Sequence, residues 1–353
     1  MTIQSFLLAS LLGASFTLIA ADTPPLEKPL TTETETGPFR VLIVGDYHAG
    51  MGVKHNTPAL LEAMLNTPAR PAAVMKVGGV HSDLASEWKV RDNEQNGSAR
   101  WILGTMPVPE AKAIAEVLAK MAQPAPAPLS DPGDRKASRA FSEYWVNLPR
   151  NLAKFRVQGQ APEVVIFSSG SGFDAATLPA ALESFLGLTA QVKAKPVLWA
   201  TALSGAGLNP ERNPGDFHKI RQRLDAVYLP LAVKYAVSVA PIYRAAMAAR
   251  SRKEINLDLP SGADGSSHYG PKHGYLFACS LYAATTGKSP VGTAIPTIWY
   301  DKTMTPSPND PKKTSTLLTT LVLEPLEAKA IQEVAWDVHQ EFLADLAKMG
   351  KAP

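Results

Sequence analysis

VLIVGDYHAG, residues 41–50, is the stretch on which the fold of this chain turns. Its first four residues are apolar and do not alternate with polar ones, so they read as a strand buried on both faces. The Gly-Asp-Tyr-His-Ala-Gly that follows reads as a tight polar turn opening into a helix.

Working outward, the same pattern recurs. AAVMKVGG at 72–79, EVVIFSSG at 163–170 and KPVLWAT at 195–201 are short, rich in Val, Ile and Leu, and end in small polar turns. With the first strand at 39–45 and a fifth at 237–242 (VSVAPI), they predict about five parallel strands. Helical patterns at 57–65, 177–192 and 217–235 lie between them. The alternation predicts an α/β fold: a doubly wound, flavodoxin-like parallel sheet with helices on both faces. Ligands of such sheets bind beyond the carboxyl ends of the strands, so the turns at Asp46, Gly79 and Ser169 are expected on one rim.

Residues 91–162 interrupt the rhythm. Helical patterns at 108–121 and 138–155 flank the proline-rich QPAPAPLSDPGD, residues 123–134, which predicts a helical insertion between strands 2 and 3, either a cap or an extended crossover. Residues 293–314 read as irregular, and 324–348 as a long amphipathic helix that packs on the core or pairs with another subunit. The expected organisation is a signal peptide at 1–21, a flexible leader at 22–38, the α/β domain at 39–300, and a loop plus terminal helix at 301–353.

The apolar run at 6–21 ends in small residues, as a secretory signal does, although no Lys or Arg precedes it; a membrane anchor is the alternative. Export to the periplasm or the extracellular space is therefore expected, with no membrane contact after cleavage. The 353 residues are 45% hydrophobic and 19% charged, which suffices for a sizeable core. A formal charge of +3 is too small to point to nucleic acid as a partner. The single cysteine, Cys279, excludes an intramolecular disulfide and lies far from any cleavage site where lipid could be attached. It sits in an alanine-rich helical pattern and reads as buried and inert.

ADGSSHYGPKHGYLFACSLYAATTGKSPVG, residues 263–292, resembles the C-terminal block of SGNH (GDSL-like) hydrolases, bacterial exported branch. Residues 228–249 resemble the helix-strand-helix before that block, and VLIVGDYHAG resembles the family's first block. The resemblance implies an ester hydrolase, acting for instance on acetyl groups of a polysaccharide. It makes His268 the base, Asp264 its orienting acid and Gly79 an oxyanion donor, with Tyr47 at the position of the serine nucleophile. It implies no cofactor and no metal, and as partner a small-molecule or carbohydrate ester.

The chain departs from that pattern in three places. Tyr47 replaces serine, three residues rather than two separate Asp264 from His268, and the third-block asparagine is absent where Ser168, Ser169, Gly170 and Ser171 stand. A tyrosine hydroxyl lies several ångströms farther from the backbone than a serine Oγ, and misplacement of even ~1 Å costs on the order of 100-fold. Ordinary serine chemistry is therefore expected to be impaired.

Four alternatives stay open beside it. The Tyr47 phenol, activated by a base or a cation, is itself the nucleophile; or Ser169 or Ser171 is; or Asp46, His48, His81 and His268, with Asp264, hold a divalent ion whose bound water attacks; or the protein only binds a glycan or acyl ligand. In that last case Trp88, Trp101, Trp145 and Trp199 are candidates to line the cleft, against the plainer reading of core packing for each. Asp46 and His48 otherwise join Ser169 and Gly170 as polar groups of the binding rim, Asp46 capping the turn.

Overall fold

The computed structural model describes residues 37–45, 56–78, 83–92, 97–126, 135–170, 175–201, 217–257, 270–304 and 315–350. The expected signal segment, nearly all of the leader and most of the loop at 123–134 lie outside these. Five strands form one all-parallel sheet in the order β2-β1-β3-β4-β5: β1 (Phe39–Val44), β2 (Ala72–Val77), β3 (Val164–Ser168), β4 (Lys195–Trp199) and β5 (Ser238–Ala240). This is the expected α/β sheet, with every strand inside its expected segment. β1 and β3 are buried almost throughout, which is why their sequences run apolar without alternation.

Helices follow the strands: α1 (Thr57–Leu65), α2 (Leu84–Lys89), α3 (Ser98–Ile102), α4 (Ala111–Met121), α5 (Arg135–Ser142), α6 (Leu148–Val157), α7 (Leu178–Gln191), α8 (Phe217–Tyr235), α9 (Ile242–Arg250), α10 (Pro271–Thr286) and α11 (Pro325–Met349). Strand alternation sorts them onto two faces. Phe167 of β3 meets Phe185 of α7, and Phe185 meets Trp88 of α2, so these pack on one side. Trp199, one residue beyond Leu198 (the register partner of Phe167), points to the other side and meets Phe277 of α10. α1 packs against α10.

The edge strand β2 is protected from α1. Asn66 Oδ1 accepts from the Ala72 N–H at 2.6 Å and Glu62 Oε2 from the Val74 N–H at 2.8 Å, occupying donors that an unpaired edge would present. On the crossover from β2 to β3, α2 and α3 pack on α7, and α6 packs against β2 and β1. The insertion thus contains the crossover helix itself. A π turn, Glu143–Asn147, joins α5 to α6. Pro149 explains it: a proline there has no N–H for the Trp145 carbonyl and its ring would clash with it, so the helix widens by one residue. Leu148 N–H reaches back five residues to Glu143 O.

Two expectations need correction. The segment read as irregular holds β6 (Ile298–Met304), paired antiparallel with β7 (Ser315–Leu321). The core also continues past residue 300: Leu323, Ile331, Val334, Val338 and Phe342 belong to the same buried cluster as the sheet. Of the two fates open to the terminal helix, it takes packing on the core, against α8, α9 and α10. Among the described residues no helix is long and apolar enough to cross a membrane.

Candidate functional site

The carboxyl ends of β2, β1 and β3 meet at backbone contact. Val44 is in register with Val77 and with Phe167, so Gly45, Gly78 and Ser168 stand side by side. A Cβ on Gly45 would fall 2.5 Å from Ser168 Cβ, closer than two carbons can approach. One on Gly78 would fall 2.8 Å from Gly45 O and 3.0 Å from Glu87 Oε2, at a φ of +106° that favours glycine. The turns that leave this platform carry Asp46, Tyr47, His48, Gly79 and His81, all outside the described residues.

The start of α10 lies at the same end of the sheet. Lys195, the first residue of β4, donates to Thr285 O at 2.9 Å, while Trp199 at the other end of β4 meets Phe277. The helix therefore runs antiparallel to the strands. Its 16 residues span about 24 Å, and its N-cap, Gly270, emerges on the rim side. His268 precedes that cap by two residues. His268 and Asp264 themselves lie outside the described residues, as does Ser171.

Ser169 and Gly170 are described. Ser169 is fully buried. Its hydroxyl lies in donor position 3.2 Å from Trp199 O, accepts from the Thr201 N–H at 3.3 Å and shares a 2.6 Å hydrogen bond with the Tyr228 hydroxyl. Among the described residues no imidazole or carboxylate bonds to it, so it ties β3 to β4 and α8. Burial pushes the Tyr228 phenol above its ordinary value, so it stays protonated. Gly170 takes a φ of +82°, and its N–H donates to Ser168 Oγ at 3.3 Å.

The tryptophans divide. Trp101 and Trp199 are core residues, and Trp88 packs edge-on against Phe185 with the Arg91 guanidinium 4.0 Å from its ring centroid. Trp145 lines a concavity at the outer edge of β2. Cys279 is buried, and burial pushes its thiol up, so the sulfur stays protonated. Among the described residues no group of three His, Cys, Asp or Glu side chains is placed to hold a metal; the proposed ligands lie outside them.

Sequence reading singled out neither Tyr228 nor Glu87. Glu87 is buried on α2 against Gly78, and a carboxylate at that depth beside the rim is a candidate polar group of the site. An Asp83 N-cap, whose Oδ1 accepts from the Ser86 N–H at 2.6 Å, starts the helix that carries it. The Asp-x-x-x-Glu spacing was the available signal.

No family model and no curated protein matches the chain. Among solved structures, similarity is found to a crystal structure of a DUF4886 family protein from Bacteroides uniformis, with a TM-score of 0.47 and 12% identity over 85% of this chain and 94% of that one. A second is a protein from Slackia heliotrinireducens described as "a putative SGNH hydrolase", with a TM-score of 0.36 and 16% identity over 71% of this chain and all of the other.

Proposed function

We propose that the chain is an exported, divergent protein of the SGNH-hydrolase type, which receives a small-molecule or carbohydrate ester at the carboxyl rim of its sheet and whose serine-esterase chemistry is impaired. The observation that carries the reading is the contact of Gly45, Gly78 and Ser168. Turns leaving three strands from one backbone platform, with the start of α10 on the same side, suit a site assembled from Tyr47, Gly79, Asp264 and His268. In that site His268 is the base and Asp264 its orienter. Tyr47 stands where the nucleophile belongs, with its oxygen too far out for donors set for serine.

Hydrolysis of p-nitrophenyl acetate tests this, comparing wild type, Tyr47→Ser and Tyr47→Ser/His268→Ala. The expected result is a wild type at the buffer rate and a serine variant that turns over only while His268 is present. Wild-type turnover that His268→Ala abolishes would overturn the impairment and assign another nucleophile or a metal-bound water. A serine variant as silent as wild type would overturn the SGNH reading.

A further inference from the structure

The concavity at the outer edge of β2 is a cleft of about 350 Å³ between the start of α1 and the π turn with α6. Ligand pockets occupy roughly 300–1,000 Å³. Its walls present polar side chains that, among the described residues, the fold engages only in part or not at all. Glu62 gives Oε2 to the Val74 N–H, and its side chain makes no other hydrogen bond among the described residues. Among the described residues, Asn56 and Asn151 line the cleft with no side-chain hydrogen bond, and Arg150 and Lys154 line it with no carboxylate partner. Arg150 and Lys154 are four apart on α6, so they share one face.

Between these groups stands Trp145, half-buried, braced edge-on by Tyr144 at 5.1 Å between centroids. The π turn places it there. An ordinary α-helical turn through Pro149 would shift every preceding side chain around the axis, so the widened turn sets the angle at which the indole meets the cleft.

We infer that this cleft binds an acidic saccharide, a sugar ring that bears a carboxylate. An indole beside free amides and one free carboxyl oxygen suits a ring that is apolar on its faces and hydroxylated at its edge. Two cations on one wall, unpaired among the described residues, suit a carboxylate on that ring. A phosphate fits less well, because α6 continues the π turn with its Leu148 N–H already bonded to Glu143 O, and Pro58 removes a donor from the first turn of α1. The inference is independent of the proposed chemistry at the rim, since none of its residues belongs to that site.

The test is calorimetric binding of galacturonate and glucuronate trimers to the mature full chain, against a neutral galactose trimer. The variants are Arg150→Ala/Lys154→Ala and, separately, Trp145→Ala. Arg150 and Lys154 are solvent-exposed, so the double variant keeps its fold, checked by circular dichroism. An acidic trimer should bind with a Kd under ~1 mM, at least ~10-fold tighter than the neutral one, and the double variant should erase that preference. Trp145→Ala should weaken both sugars. No binding, a preference under ~10-fold, or a preference that survives the double variant overturns the inference. Binding is read without turnover, so a silent esterase assay has no bearing on it.

Discussion

Glu62 shows how one side chain serves the fold at a cost. Its carboxyl protects the edge of β2, but burial raises its pKa to about 7, against the smaller opposing effects of the Val74 N–H and Arg156. The folded pKa lies above the unfolded one, so the contribution is fully present below about 4.5 and is lost as pH rises toward 7. Glu62→Gln keeps an acceptor for Val74 without the charge. Relative to wild type, it should gain up to about 3 kcal/mol between pH 4.5 and pH 8, read from urea midpoints. An equal difference at both pH values would show the carboxylate to be well solvated. The wild-type curve alone would conceal the effect. His339, held down to about 4 by burial and by Lys195, has the opposite slope, because its unfolded form takes up a proton first as pH falls.

At the scale of elements, a charge network centred on one buried arginine clamps three helices. Arg244 of α9, almost without exposure, donates through Nε to Asp225 of α8 at 2.8 Å and through Nη1 to Asp345 of α11 at 2.9 Å. Tyr243 also bonds Asp225, and Arg221 of α8 pairs with Glu341 of α11. The Phe342 ring lies 5.0 Å under the guanidinium. Desolvation opposes the charge on Arg244, but Asp225 and its other partners outweigh it and hold the guanidinium above its ordinary value. Removing the guanidinium takes one charge-assisted partner from each of Asp225 and Asp345, which keep Arg221 and Lys348 respectively, so Arg244→Ala should lose about 1.5–3 kcal/mol in denaturant titration. A loss below about 1 kcal/mol would mean that Asp225 and Asp345 find water as readily as Arg244.

Over the whole molecule, α11 closes the core rather than trailing from it. Ile331, Val334, Val338 and Phe342 are buried against α8, α9 and α10. Their burial is worth roughly 6–12 kcal/mol, comparable to the whole net stability of a domain, about 5–15 kcal/mol. A chain ending at residue 322 should therefore lose cooperative thermal unfolding; a sharp transition near the full-length midpoint would show the terminal helix to be an accessory. The sequence by itself determined the sheet, because strands buried on both faces must be short unbroken runs of Val, Ile and Leu. It determined α1 to the residue and the end of α8 at Tyr235, because their apolar positions keep helical period. It did not reveal β6, whose mixed composition lies beside a proline-rich stretch and whose pairing with β7 depends on residues further along the chain. Only the tertiary structure decided that Ser169 bonds Tyr228, 59 residues away, that Gly45 and Gly78 are glycines because neighbouring strand ends touch, and that Glu62, Trp145 and Arg150 face one cleft. Composition and period record which faces are apolar; which polar groups meet depends on packing between segments distant in sequence.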